Sequence, residues 1–208
     1  MLLKARNDIH IARRIWHACG VFGIFLWYWN LEKQTAMILA LSIGSVLVAC
    51  DIGRLQVPSL NRFFTFLFKP VLRDCEMNKL SGLSAMMIGV ALIVALFPKQ
   101  VVLLALLYLA FADPLASYFG IRYGRDKLIG HKSLQGTLAA FGACFVVTAL
   151  YLLAVGLMQE RLFIVSLIGA LIGAFSELLP VGKLDDNFVF PILSSTLLTG
   201  LFYIFGGL

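Results

Sequence analysis

The sequence predicts an all-α, multi-pass integral membrane protein, and three observations point to that class. Of its 208 residues, 61% are hydrophobic and only 13% are charged, and the mean hydropathy is +0.93. A soluble domain of this size could not bury so much apolar surface. The apolar residues form runs of roughly 20, long enough to cross a bilayer as helices. The runs also lack the alternation of a barrel wall. No linker divides the chain, so residues 1–208 are predicted to form a single domain.

About seven of these runs are candidate membrane-spanning helices. Their predicted bounds are 15–31, 35–51, 82–98, 100–120, 134–157, 162–180 and 187–206. The first run continues through the aromatic residues 27–29 without a small-residue cleavage site, so we expect it to be retained as a span with an interfacial aromatic end. The second and third runs are short, so we expect some helices to tilt or bend.

The basic residues predict the orientation of these spans. They concentrate before the first run and in alternate connections, so that 14 of the 17 Lys and Arg residues fall on one side and three on the other. Loops rich in Lys and Arg stay in the cytoplasm. The N-terminus is therefore predicted to be cytoplasmic and the C-terminus outside, with Arg13 and Arg14 interpreted as topology signals.

Charge and cysteine content exclude some classes of function. The net charge of +6 suits anionic lipid headgroups and anionic substrates. No polar surface is large enough to bind nucleic acid, so no nucleic-acid partner is expected. The four cysteines show no CxxC pair and no metal-ligand spacing, and are predicted to be reduced packing residues.

The segment near 57–72 differs from a plain loop, because its apolar residues recur at helical spacing beside basic ones. The recurring residues are Val57, Leu60, Phe63, Phe64, Leu67, Phe68 and Val71. This pattern is typical of an amphipathic helix that lies in the membrane interface. Two interpretations stay open: a linker that rests on the membrane, or a lateral gate for a lipid substrate.

Several acidic residues lie inside or at the edge of the apolar runs. Asp113, Glu177 and Asp185 do so, Asp51 ends another run, and Asp186 adjoins Asp185. A carboxylate at membrane depth costs several kcal/mol unless it is paired, hydrated or metal-bound. All of these acids fall near the predicted cytoplasmic ends of their helices. They therefore favour a single cytoplasm-facing site over scattered structural charges.

The stretch 113–136 combines an acid, glycines and basic residues. Asp113, Ser117 and Gly120 are spaced by four and three, so they share a helix face, and Gly120 and Gly124 permit close backbone approach. The following residues are candidates to bind phosphate: Arg122, Lys127, Lys132, Ser133 and Gly136. Ser133 is predicted to cap the next helix, whose free N–H groups favour an anion. The order of residues is not that of a Walker A loop.

The stretch 176–191 places Glu177 before a Pro-Gly break and Asp185, Asp186 and Asn187 at the start of another apolar run. One of these acids can cap the last helix, but three acids exceed what capping requires. Mg²⁺ usually takes one or two carboxylates and completes its shell with water and substrate phosphates. We therefore predict that Glu177, Asp185 and Asp186 contribute to a site for Mg²⁺ or a nucleotide.

The motifs 113-DPLASYFGIRYGRDKL-128, 132-KSLQGTLAAF-141 and 185-DDNFVFPILSS-195 carry a resemblance to a known family. The chain resembles the CTP-dependent membrane lipid kinases, which include dolichol, phytol and fungal-type diacylglycerol kinases and are distantly similar to phosphatidate cytidylyltransferases. Weaker matches are 14-RIWH-17 and 76-EMNKLSG-82. Pro114 departs from the pattern, since relatives often carry a small or hydroxyl residue there. The resemblance implies CTP as phosphoryl donor, a divalent metal and a lipid alcohol acceptor.

The predicted reaction is transfer of phosphate from CTP to a membrane lipid alcohol, either diacylglycerol or a polyprenol- or phytol-type alcohol. Mg²⁺ is assigned to Asp113 and Asp186, with Asp185 or Glu177 assisting. Asp51 is the first candidate for the general base, and Glu76 the alternate. Two other functions stay open: a cytidylyltransferase that makes a CDP-lipid, and a small membrane transporter. A homodimer is a further possibility, because Gly169 and Gly173 form a GxxxG pattern that could pack helices within one chain or between two.

Overall fold

A computed structural model describes residues 11–69, 71–72, 74–182 and 184–208, without the side chains of 74 and 75. Eight α-helices carry most of these residues: α1 (Ile11–Asn30), α2 (Lys33–Gln56), α3 (Pro58–Leu67), α4 (Gly82–Leu96), α5 (Lys99–Tyr123), α6 (Leu134–Val155), α7 (Leu162–Leu178) and α8 (Asp186–Phe205). Short 3₁₀ turns occupy Asp74–Asn78 and Gln159–Arg161. Five of the groups counted above as basic residues or cysteines lie outside the described residues: Lys4, Arg6, Arg73, Lys183 and the side chain of Cys75.

The predicted all-helical class is confirmed, with one small departure. Each of the seven apolar runs corresponds to one helix, α1, α2 or one of α4–α8, with ends that differ by a few residues. The departure is a hairpin of two short antiparallel strands, β1 (Lys127–Ile129) and β2 (Lys132–Ser133), in the connection from α5 to α6. Helix α2 also runs past its predicted end at Asp51, so that Asp51 and Arg54 lie in its last turns.

Among the described residues, five helices are long and apolar enough to cross a membrane: α2, α5, α6, α7 with its preceding turn, and α8. Helix α4 has 15 residues and is about 22 Å long at 1.5 Å per residue, less than a hydrocarbon core of about 30 Å. Helix α1 has 20 residues but carries Arg13 and Arg14 in its first turn. Crossing by α1 and α4, and hence the count of seven spans and the orientation, stays a prediction.

The helices alternate in direction between two ends of a bundle. At one end, Lys33 Nζ donates to the Phe97 carbonyl oxygen at 2.9 Å, and Lys99 Nζ donates to that of Leu31 at 2.7 Å. These bonds tie the α1–α2 turn to the α4–α5 turn. The opposite end therefore gathers the N-terminal ends of α1, α4, α6 and α8 and the C-terminal ends of α2, α5 and α7. It is the end that carries the predicted site residues.

Helix α5 forms the centre of the bundle. Its residues 101–110 are all buried, as expected for a helix that is apolar on every face. The Tyr108 hydroxyl lies 2.6 Å from Thr148 Oγ1 on α6, which satisfies both hydroxyls inside the core. A Cβ on Gly169 would lie 2.8 Å from the same Tyr108 hydroxyl. The GxxxG pattern of α7 thus packs within the chain, against α5 and α6.

Candidate active site

A cavity of about 360 Å³, here called the polar cavity, opens at the end of the bundle where α5 and α7 finish and α6 and α8 begin. It is lined by most of the residues that the sequence singled out: Asp113, Ser117, Gly120, Lys127, Lys132, Ser133, Gly136, Glu177, Asp185, Asp186 and Asn187. These residues come from four helices and one hairpin. The predicted convergence of acids and phosphate-binding candidates is therefore present in the fold.

Close packing between α5 and α6 forms one wall of this cavity. Ser133 caps α6, and its hydroxyl accepts a hydrogen bond from the Gly136 amide at 3.3 Å, as predicted. A Cβ on Gly136 would lie 2.7 Å from the Ala116 carbonyl oxygen. A Cβ on Gly124 would overlap the Gly120 carbonyl and lie 2.6 Å from Ser133 Oγ. Glycine at these positions lets the two helices approach beside the cavity.

Lys132 is the basic residue at the centre of the acids. Its ammonium group lies 2.5 Å from Glu177 Oε1 and 3.4 Å from Asp186 Oδ2. Burial disfavours the charged form, but Glu177, Asp186 and Asp113 outweigh that effect and hold the pKa of Lys132 above its ordinary value. The ammonium is therefore charged at neutral pH, and it compensates the buried Glu177 carboxylate.

The start of α8 supplies two acids and an amide. Asp185 caps the helix by accepting a hydrogen bond from the Asn187 amide at 2.9 Å, so it is the acid of this turn that serves as the cap. Asp186, in the first helical turn, turns toward Lys132. The Asn187 side chain is buried and donates a long hydrogen bond of 3.5 Å to the Gly82 carbonyl on α4. Residues in this turn thus cap α8 and also line the polar cavity.

The donor set of the polar cavity fits a hard divalent cation that is completed by substrate oxygens. Four carboxylates line the cavity against two lysines, so an added triphosphate would meet excess negative charge unless a cation came with it. Within the described ranges, no three His, Cys, Asp or Glu side chains stand close enough to bind a metal by themselves. Asp113, Glu177, Asp185 and Asp186 therefore suit Mg²⁺ that is shared with phosphates. The assignment of metal to these residues stays a prediction.

Asp113 connects the polar cavity to α1. Its carboxylate oxygen Oδ2 lies 3.7 Å from His17 Nε2, which itself donates to the Leu109 carbonyl at 3.1 Å. Its neighbour Ser117, one turn on, accepts a hydrogen bond from Arg14 at 3.1 Å. Nothing in the sequence spacing indicated that His17 and Arg14 reach α5, because about a hundred residues separate them from their partners.

Beside the polar cavity lies a second one of about 180 Å³, here called the apolar cavity, between α1, α2, α3 and α4. Asp51 and Glu76, the two candidate bases, line this cavity and not the polar one. Asp51 is buried and accepts from Arg54 Nε at 2.6 Å, from the Ser81 amide and hydroxyl at 2.7 Å each, and from Ser84 Oγ at 2.6 Å. Four donors on two oxygens favour a structural role. The assignment of Asp51 as a base stays a prediction.

Glu76 is also held by several donors. Arg13 contacts both carboxylate oxygens, at 3.0 and 2.7 Å, and the Gly82 amide donates to Oε1 at 3.2 Å. This pair joins α1 to the segment before α4 and gives Arg13 a partner inside the fold, beyond its predicted value as a topology signal. The alternate assignment of Glu76 as the base likewise stays a prediction.

Two phosphate-binding candidates lie away from the lining of the polar cavity. The Arg122 side chain is exposed, and its Nε donates to the Tyr123 hydroxyl at 3.0 Å. Gly124 packs against Ser133 just outside the cavity. His131, which was not among the predicted site residues, also lines the cavity beside Lys132. His131 reaches the cavity because it lies in the turn of the β1–β2 hairpin. No sequence pattern predicted this hairpin, so nothing in the sequence pointed to His131.

Comparison with known proteins identifies relatives of the chain. It is 32% identical over 158 residues to a CTP-dependent diacylglycerol kinase of Schizosaccharomyces pombe, which covers 71% of this chain and 72% of the relative. It is 25% identical over 205 residues to the enzyme of the same name from Saccharomyces cerevisiae, covering 89% and 71%. An uncharacterised protein of Rickettsia prowazekii is 30% identical over 199 residues, covering 91% and 95%. No family model and no solved structure matches. The convergent acids and these relatives together show that the chain belongs to the family of CTP-dependent lipid kinases.

Proposed function

We propose that this protein transfers the γ-phosphoryl group of CTP to the hydroxyl of a membrane lipid alcohol at the cytoplasmic face of the membrane. The alcohol is diacylglycerol, or else a polyprenol- or phytol-type alcohol. The observation that carries the proposal is the single cavity that joins Asp113, Glu177, Asp185 and Asp186 to Lys132 and two helix N-termini. The names of the fungal relatives support CTP as donor and diacylglycerol as acceptor.

The reaction needs charge neutralisation and alignment more than covalent chemistry by the protein. The acceptor hydroxyl oxygen bonds to the γ-phosphorus, the bond from that phosphorus to the β–γ bridging oxygen breaks, and CDP leaves. The hydroxyl proton passes to a carboxylate. Asp51 and Glu76, which line the neighbouring apolar cavity, remain the candidates for that role, because Asp113 is assigned to the metal.

The residues of the polar cavity are proposed to bind the metal and the phosphates. Asp113 and Asp186, assisted by Glu177 or Asp185, would hold Mg²⁺, which neutralises phosphate charge when it is bound. Lys132 supplies a fixed positive charge to the phosphates, with Lys127 as a further partner at the edge. The amides at the start of α6, beside Ser133 and Gly136, present N–H groups and the positive end of a helix dipole. Dimerisation has no support in these contacts.

The test is a panel of nucleotides against lipids with purified protein in liposomes. We expect a phosphorylated lipid and CDP from CTP with Mg²⁺, and no product from ATP. Asp113→Asn and Asp186→Asn should each lower kcat at least about a hundredfold, because each removes a charge that the reacting phosphates require. Glu160→Gln, an exposed acid at the other end of the bundle, is the control.

Two results would contradict the proposal. One is the absence of any CTP-dependent product with every lipid alcohol. The other is formation of a CDP-lipid and pyrophosphate from phosphatidate, which would show nucleotidyl transfer instead of phosphoryl transfer. The transporter interpretation finds no support in the fold, because the acids gather at one end of the bundle instead of along a path through it.

A further inference from the structure

The apolar cavity has the shape and chemistry of a lipid site that the reaction chemistry alone does not assign. Its walls are mostly apolar side chains. They include Trp16 of α1, Leu47 of α2, Phe64 of α3, Phe68 just after α3, and Met86 of α4. Four separate elements therefore enclose a volume that apolar chains can fill. Acyl chains that pass from the bilayer into such walls exchange one apolar environment for another, so they enter without a desolvation penalty.

The charges that line the apolar cavity pair off. Arg13 binds Glu76 at 2.7 Å, and Arg54 binds Asp51 at 2.6 Å. All four side chains are largely buried, between 3% and 16% exposed. The two pairs cancel, so the described lining offers no excess positive charge to an incoming anion. A phosphate-bearing headgroup would have to give up its hydration here without a compensating cation, at high cost. An uncharged hydroxyl meets no such penalty.

The polar end of the apolar cavity adjoins the proposed phosphate site. Asn187 lines both cavities. His17 lines the apolar cavity, and its Nε2 lies 3.7 Å from Asp113 in the polar cavity. A hydroxyl that is held between His17 and Asn187 would thus stand at the boundary between apolar chains and phosphates.

The apolar cavity also opens toward the outside of the bundle. Gly20 on α1 lines it, is exposed, and has no atom within 4 Å of the position that a Cβ would take. On the next wall, α3 turns Phe64 inward while Phe63 and Phe66 are 58% and 80% exposed on its outer side. Apolar surface therefore continues from the cavity to the exterior, where acyl chains would remain in the bilayer.

We infer that the apolar cavity binds the acceptor lipid and selects an uncharged, hydroxyl-bearing headgroup over a phosphate-bearing one. The inference rests on the proposed function, and the occupant of the cavity is the acceptor lipid. It also gives the interfacial segment a role, because α3 forms a wall of the site with one face and meets the membrane with the other.

A matched pair of glycines on α1 tests the inference. Gly20→Trp places an indole in the cavity mouth, whereas Gly23→Trp places it on the same exposed helix outside the cavity, where a Cβ also meets nothing within 4 Å. Two quantities are measured. One is the KM for diacylglycerol in mixed micelles; the other is covalent labelling, without nucleotide, by a diacylglycerol that carries a photoactivatable acyl chain.

We expect Gly20→Trp to raise the KM for diacylglycerol at least about tenfold and to reduce labelling in proportion. The KM for CTP should stay within about twofold of the parent value, since the indole lies outside the polar cavity. Gly23→Trp should change neither. In the parent protein, unlabelled diacylglycerol should displace the probe at a lower concentration than phosphatidate, the product of the proposed reaction.

Unchanged KM and labelling in Gly20→Trp would overturn the assignment of the cavity, whatever the status of the kinase activity. Displacement of the probe by phosphatidate as effectively as by diacylglycerol would overturn the headgroup selection. If the parent protein phosphorylates no lipid alcohol, the labelling experiment still tests the cavity. Loss of label in Gly20→Trp but not in Gly23→Trp would then support the lipid site although the proposed function fails.

Discussion

Asp51 illustrates how a single carboxylate joins elements that are distant in sequence. It sits in the last turns of α2 and accepts hydrogen bonds from Arg54, Ser81 and Ser84, the last two at the start of α4. Arg54 in turn donates to the carbonyl groups of Glu76 and Lys79. A buried carboxylate with this many donors fixes the position of α4 relative to α2.

We expect Asp51→Asn to act mainly on stability. It leaves the buried Arg54 guanidinium without its counter-charge, which costs about 3 kcal/mol or more. The melting temperature in detergent should fall clearly, whereas kcat per folded molecule at low temperature should fall less than about tenfold. Arg62→Ala, an exposed basic residue in α3, is the control. A kcat loss of a hundredfold or more with an unchanged melting temperature would instead establish Asp51 as the general base.

Individual site residues differed in how far the sequence predicted them. The shared face of Asp113, Ser117 and Gly120 followed from helical spacing alone. The cap role of Ser133 followed from its side chain and its place before an apolar run, whereas the sequence left open which residue of 185–187 caps α8. The contact of Arg13 with Glu76 could not be predicted, because 63 residues separate them and no local periodicity relates them.

The crossing of α5 and α6 is the element-scale feature on which the polar cavity depends. Gly120 and Gly136 face each other there, and a Cβ on Gly136 would also lie 3.2 Å from the Gly120 Cα. The crossing brings the C-terminal half of α5, with Asp113, beside the N-terminus of α6. Separation of the two helices would therefore pull the carboxylate away from the amides that are proposed to bind phosphate.

We expect Gly136→Ala to destabilise the protein by about 1–3 kcal/mol, because the new methyl group meets the Ala116 backbone oxygen, which cannot move away as a side chain could. The kcat of Gly136→Ala should fall together with its stability, because the helix crossing positions Asp113. Gly142→Ala, on the same helix with open space around it, should be neutral or stabilising by up to about 1 kcal/mol. Thermal unfolding and turnover of both variants decide the point. Equal responses would show that the close helix crossing is not required.

The whole bundle places the polar and apolar cavities at one end, and the positive-inside bias predicts that this end faces the cytoplasm. The α5–α6 connection and the C-terminus lie at opposite ends of the fold. Since CTP is a cytoplasmic nucleotide, the proposed function requires this orientation.

Labelling of single cysteines measures the orientation in cells. In a cysteine-free background, we expect Leu208→Cys to react with a membrane-impermeant maleimide on intact cells. His131→Cys, which is exposed in the α5–α6 hairpin, should react only after permeabilisation. Both residues are accessible in the fold, so a difference between them reports sidedness. The reverse pattern would place the polar cavity outside the cell and contradict the orientation.

The sequence by itself determined the helical membrane class, the positions of the helices and the membership of the acids in one end of the bundle, because hydropathy, helical spacing and charge bias are local properties of the chain. Tertiary structure alone decided the rest. It places Lys132 between Glu177 and Asp186, and it places Asp51 and Glu76 in a different cavity from Asp113. It also leaves the Arg122 side chain outside the polar cavity. Those relations depend on which helices pack together and at what rotation, and side-chain packing across the whole molecule sets both.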